Sequence, residues 1–156
     1  MSRLAVLALG LALTCDWLEA SSVEVDLRGL GRVRGLQNPQ FRVFRGIPYA
    51  QPPLAENRWN APIPVAAWAP RVLDASQFGP ACFQDGLDFD PVIANWSEDC
   101  LTLNVFAPID GANGSRPVLV YLHGGSYING GSNESRLNGQ FLAEEHLLVV
   151  VTLNYR

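Results

Sequence analysis

The chain of 156 residues contains no lysine, a single methionine, two histidines and three cysteines. Without lysine, Schiff-base chemistry and the phosphate-binding lysine of nucleotide loops are excluded. The 11 basic residues, all arginine, are outnumbered by 15 acidic ones, and the pI near 5.0 leaves no cationic stripe to neutralise phosphates. Nucleic acid is therefore not an expected partner. No apolar run approaches the ~20 residues of a membrane-spanning helix; Leu4–Leu13 reaches ten. What is abundant is globular: 48% of residues are hydrophobic and 17% charged, which rules out disorder as a global description. Glycine (14) and proline (11) are too frequent for a helical bundle, so strands and turns should dominate the N-terminal half.

Arg3, the short apolar run and the small residues Ala20, Ser21 and Ser22 form the pattern of a secretory signal peptide over residues 1–22, cleaved after Ala20 or Ser22. A buried core helix is the alternative. Secretion alters the reading of the cysteines: Cys15 leaves with the signal, and Cys82 and Cys100 remain as a pair in an oxidising compartment, where a disulfide is the default over two free thiols. Such a bridge closes a loop that the chain-entropy treatment credits with about 3 kcal/mol. Three glycosylation sequons point the same way, at Asn95, Asn113 and Asn133, and the polar segment around Asn113 makes it the most credible acceptor.

From Val23 the chain alternates in short pieces. Val23–Leu27 and Arg32–Leu36 flank a Gly-rich turn and read as a hairpin; Phe41–Arg45 continues as a third strand that stops at Gly46-Ile-Pro48. Six prolines between Tyr49 and Pro80 predict an extended surface wrap without regular elements, pinned by Trp59 and Trp68. Leu101–Phe106, Pro117–Leu122 and Leu147–Leu153 read as strands, the last a β-branched run of the kind buried on both faces of a parallel sheet. Leu137–His146, with apolar residues at 137, 141 and 142, reads as a short amphipathic helix, so the last two strands form a βαβ unit. The expected class is α/β with a small antiparallel leader, without internal repeats. The 147–153 strand is expected at a sheet edge, its later neighbours missing.

His123-Gly-Gly-Ser-Tyr127 follows a strand directly, where ligands sit in α/β sheets. Consecutive small residues there can turn backbone N–H groups toward one point, as in the oxyanion hole of lipases and esterases. A Gly-rich turn without a catalytic role is the alternative for the motif alone. It keeps company, however, with Phe44-Arg-Gly-Ile-Pro-Tyr-Ala-Gln-Pro-Pro53, Arg58-Trp59, Ser97-Glu-Asp-Cys-Leu-Thr-Leu-Asn-Val-Phe106 and Asn154-Tyr-Arg156, in that order. Together these resemble the type B carboxylesterase/cholinesterase family over residues 23–156.

The resemblance implies the N-terminal part of an α/β-hydrolase, truncated: a small antiparallel sheet followed by the first strands of a central, mostly parallel one. It implies hydrolysis of a small-molecule carboxylic ester by a Ser, an acid and a His, without cofactor or metal. Carried onto this sequence, Cys82 and Cys100 match the family's first disulfide. Gly125 and Ser126, in the loop begun by His123 and Gly124, match the pair whose N–H groups donate to the oxyanion. Arg58 and Glu98 match a structural salt bridge, expected to be partly buried.

Three departures qualify this. Ser126 stands where many active members have Gly or Ala, which a backbone donor tolerates. Trp96 does not match the choline-binding tryptophan, and the short disulfide loop instead carries Asp85, Asp88 and Asp90, whose spacing fits no calcium loop and reads as a solvated acidic surface. Above all, no Gly-x-Ser-x-Gly elbow occurs: Ser126 and Ser132 both lack the closing Gly, and His146, on the polar side of a helix end, reads as a surface residue. The chain alone is expected to be inactive. A fragment of a silent, neuroligin-like adhesion protein, with a protein partner and a membrane anchor in a later segment, is the alternative to a secreted hydrolase.

Overall fold

Alternation of apolar and polar residues builds most of one seven-stranded sheet. In this computed structural model, residues 20–84, 95–109 and 115–156 are described. Strands β1 (Ser21–Leu27) and β2 (Gly31–Gln37) form the expected hairpin, with Val25 opposite Val33 and Glu24 opposite Arg34. Glu24 accepts from Arg32 and from Arg34, each at 2.8 Å, on the solvent side. β3 (Phe41–Pro48) pairs antiparallel with β7 (Thr102–Pro108) and runs further than expected. It crosses an irregularity between Phe44 and Ile47, where Gly46 adopts φ 67°, and ends at Pro48. The bulge lets the strand continue past a glycine that seemed to close it.

The proline-rich segment also differs from expectation. Three of its residues form β4 (Val72–Asp74), parallel to β2, because the stretch between Pro70 and Pro80 keeps its backbone donors. Trp68 is buried to 7% exposure and its indole N–H donates to the Arg32 carbonyl at 2.9 Å, so it anchors the wrap. Trp59 does not: it is 86% exposed, at φ 67°, with the Arg58 guanidinium over its ring. β5 (Ala81–Cys82) and β6 (Trp96–Ser97) make a separate parallel pair at the neck of the disulfide loop. Asp85, Asp88 and Asp90, and the sequon at Asn113, lie outside the described residues.

β8 (Val118–Leu122), α1 (Gln140–His146) and β9 (Val149–Leu153) form the βαβ unit, β8 and β9 pairing in parallel. The helix is shorter than predicted. Asn138 Oδ1 accepts from the Gln140 N–H at 3.0 Å, a local turn that separates a 3-10 turn at Ser135–Leu137 from the helix proper. Its inward residues are Leu142 and Ala143, and Phe141 faces outward at 63% exposure.

The sheet order is β1-β2-β3-β7-β9-β8, with β4 on β2. Val33, Phe44, Ile47 and Trp68 pack on one face; Phe41, Val43, Phe106 and Val150 pack on the other, under α1. β9 is thus an interior strand, antiparallel to β7 and parallel to β8. The expected edge at 147–153 is wrong: the crossover puts β8 outside β9, and all five β8 residues are exposed. An apolar edge strand of this kind is an aggregation site. Residues 23–156 produced alone should therefore self-associate, and Val120→Lys should raise the soluble monomeric fraction, read by light scattering. A monomeric preparation of the unsubstituted chain with a cooperative thermal transition would contradict this.

Candidate functional site

The two parallel strands end at the same level, Leu122 opposite Leu153, and deliver two loops side by side. His123–Gly130 follows β8, and Asn154-Tyr155-Arg156 follows β9. Tyr155 stacks on the His123 ring, centroids 4.5 Å apart, and its hydroxyl donates to the His123 carbonyl at 2.7 Å. His123 is buried, its ring nitrogen Nδ1 lying 2.9 Å from the Gly124 carbonyl oxygen.

Beyond His123 the backbone turns sharply. Gly125 (φ 123°), Ser126 (φ 57°) and Tyr127 (φ 60°) lie consecutively at positive φ, a costly conformation for the two that carry side chains. The Gly125 carbonyl accepts from the Ile128 and Asn129 N–H groups at 2.9 and 3.1 Å, closing the turn. A Cβ at Gly125 would meet the Asn129 carbonyl oxygen at 1.8 Å, so only glycine fits. Among the described residues, no protein acceptor engages the N–H of Gly125 or of Ser126.

Beside this turn lies a cavity of about 570 Å³. Tyr127 to Gly130 line it from the loop, Cys82 to Gln84 and Cys100 from the disulfide neck, and Tyr155 and Arg156 from the end of β9. Gly125 and Ser126 adjoin the cavity in sequence without being among its lining residues. The Cys82–Cys100 disulfide has formed. Arg58 Nη2 donates to Glu98 Oε1 at 3.0 Å, but both side chains are more solvent-exposed than the expected partly buried pair, a geometry worth ~0–1 kcal/mol.

Two buried amides hold the loop base. Asn154, 1% exposed, accepts from the Ser132 N–H at 2.8 Å and donates to the carbonyls of Pro80 and Cys100 at 2.9 and 3.0 Å. Asn104 lies opposite Thr152 across β7 and β9; it accepts from the Gly46 N–H and donates to Thr152 Oγ1 and Ser132 Oγ. Sequence reasoning assigned neither a role, although a polar residue inside an apolar strand is a readable signal. Asn133 is 5% exposed. Asn95 is exposed. Burial pushes the Tyr49 phenol above its ordinary value of 10.0, with Arg156 pulling against it, and its hydroxyl donates to the Asn154 carbonyl at 2.8 Å. Among the described residues no cluster of His, Cys, Asp or Glu could hold a metal, and no helix is long and apolar enough to cross a membrane.

Comparison with known proteins gives this geometry a context. The profile of the carboxylesterase family matches residues 19–156. Human carboxylesterase 3 is 42% identical over 154 residues, covering 88% of this chain and 26% of that protein. The para-nitrobenzyl esterase of Bacillus subtilis (strain 168) is 41% identical over 129 residues, covering 81% and 26%. A solved PNB esterase superimposes with a TM-score of 0.76 at 40% identity, over 85% of this chain and 27% of that one. The chain spans about a quarter of the length of the curated relatives it matches.

Two outcomes follow from the buried groups. Asn154→Leu, near in volume but without polar atoms, strands one N–H and two carbonyls and should cost at least ~3 kcal/mol, read as a fall in the urea midpoint of the full-length protein. A raised folded pKa means that the Tyr49 contribution is complete below pH 10 and is lost as pH climbs through the folded value. Tyr49→Phe should therefore flatten the alkaline fall in stability measured by denaturation above pH 10.

Proposed function

The chain belongs to the carboxylesterase family over residues 19–156, and from that premise we propose that it is the N-terminal portion of a secreted carboxylic ester hydrolase. It contributes the oxyanion loop of an α/β-hydrolase site whose nucleophile, acid and general base come from later residues. The observation that carries this reading is the turn at Gly125 and Ser126: two adjacent N–H groups without an acceptor among the described residues, held at positive φ at the carboxyl ends of parallel strands. Strain of this kind at a sheet's ligand-binding end is a hallmark of a site rather than of a plain turn.

The chemistry follows from what such donors can do. When a serine oxygen attacks the ester carbonyl, the carbonyl oxygen gains negative charge, and N–H groups fixed beforehand stabilise it without reorganising. Gly125 and Ser126 supply two donors, and the residue after the nucleophile supplies the third. The Ser126 side chain is immaterial to that role. His123 is not the general base: its ring is stacked on Tyr155 and turned to its own loop. His146 ends α1, exposed, edge-on to Phe141. No Gly-x-Ser-x-Gly occurs in the 156 residues.

Secretion completes the reading. Cleavage after Ala20 leaves β1, which begins at Ser21, whole. The disulfide agrees with an oxidising compartment, and Asn95 and Asn113 are the proposed sugar acceptors.

Residues 23–156 alone should neither hydrolyse an aryl ester nor react with a fluorophosphonate at any serine, whereas the full-length protein should do both. Stoichiometric labelling of the short chain, or no labelling of the full-length one, would overturn the proposal.

A further inference from the structure

Gln84 joins the disulfide neck directly to the oxyanion loop. Gln84 Nε2 donates to the Gly130 carbonyl at 2.9 Å, and Gln84 Oε1 accepts from the Gly130 N–H at 2.8 Å, so the amide grips both polar groups of one residue. Nε2 donates again to the Cys82 carbonyl at 3.0 Å. The orientation of the amide is unambiguous, because the flipped form would set an oxygen against two carbonyl oxygens. The base of the grip is itself fixed: Cys82 is bonded to Cys100, whose carbonyl accepts from Asn154.

The far end is in van der Waals register with the turn. A Cβ at Gly130 would lie 2.6 Å from both the Gly124 carbonyl oxygen and His123 Nδ1, so this residue sits directly against the start of the loop. Asn129, its neighbour, abuts Gly125 closely enough to exclude any side chain there. A shift of Gly130 is thus passed within two contacts to the residues that carry the N–H pair. Such a contiguous packed path is what transmits displacement.

We infer that Gln84 is a positioning residue of the hydrolytic reaction: by clamping Gly130 to the disulfide neck it sets the Gly125 and Ser126 donors at their working distance from the oxyanion. The inference rests on the function proposed above. A donor displaced by a fraction of an ångström weakens an interaction made in the transition state and leaves ground-state binding nearly unchanged.

The test uses the full-length protein with Gln84→Met, which keeps the side chain's bulk, and Gln84→Glu, which keeps the acceptor and loses both donors. Both should lower kcat for an aryl ester about 10- to 100-fold with KM within about threefold. In Gln84→Met, which removes the acceptor of the Gly130 N–H, that amide should exchange its hydrogen at least about tenfold faster, while the β7 and β9 amides of Val105 and Val151 keep their protection. A wild-type kcat in Gln84→Met, a change confined to KM, or unaltered Gly130 exchange would each overturn the inference. Should Gln84→Met not fold, Gln84→Glu decides by the kcat and KM readings. If the unsubstituted protein hydrolyses no ester, the functional reading falls, and the Gly130 exchange alone decides whether Gln84 is the clamp.

Discussion

The carboxamide of Asn154 is the joint on which the other parts converge. It sits where β9 leaves the sheet, and its three hydrogen bonds tie together the loop after β8, the end of the proline-rich wrap and the disulfide neck. These segments are 22, 74 and 54 residues distant in sequence, and no apolar contact could hold them in one register with comparable directionality. A buried amide enforces its geometry because each group it leaves unpaired costs about 1–3 kcal/mol. Asn104 repeats the device one strand away, and both amides converge on Ser132. The backbone of the candidate site is therefore pinned from beneath by polar groups, while the sheet around it is held by apolar ones.

This division of labour explains why the site can contain strain. Positive φ at Ser126 and Tyr127 persists only where surroundings over-determine it. Gly130 is gripped by Gln84, Gly131 donates to Glu134 and Ser132 to Asn154, so three successive amides after the turn are committed. The turn preceding them has nowhere to relax. In the proposed hydrolase that rigidity keeps the oxyanion donors in place before substrate arrives, which is the condition for electrostatic preorganisation.

Much of this was legible in the residues. Alternation at Val23, Val25 and Val33 specified the hairpin, and the β-branched run at 147–153 specified a strand, although it is buried only on the Val150 and Thr152 face and half-buried on the other. The order of β8 and β9 was not legible, because both are apolar runs of similar length and periodicity does not say which lies outside. Trp59 and Trp68 look alike in sequence; only Trp68 finds a carbonyl for its indole and a cluster to enter. The helix boundary was missed because Asn138 bonds locally and interrupts a pattern whose apolar spacing continues through it. The loop motif was visible, but the amides that hold it were not, since Asn104, Asn154 and Gln84 act through partners dozens of residues away.

The most direct measurement of the central claim is the structure of the full-length protein carrying a covalently bound aryl phosphonate. The phosphoryl oxygen is predicted to lie roughly 2.7–3.1 Å from the backbone nitrogens of both Gly125 and Ser126. A phosphoryl oxygen bound elsewhere, with those two N–H groups turned away from it, would contradict the claim that this chain supplies the oxyanion hole.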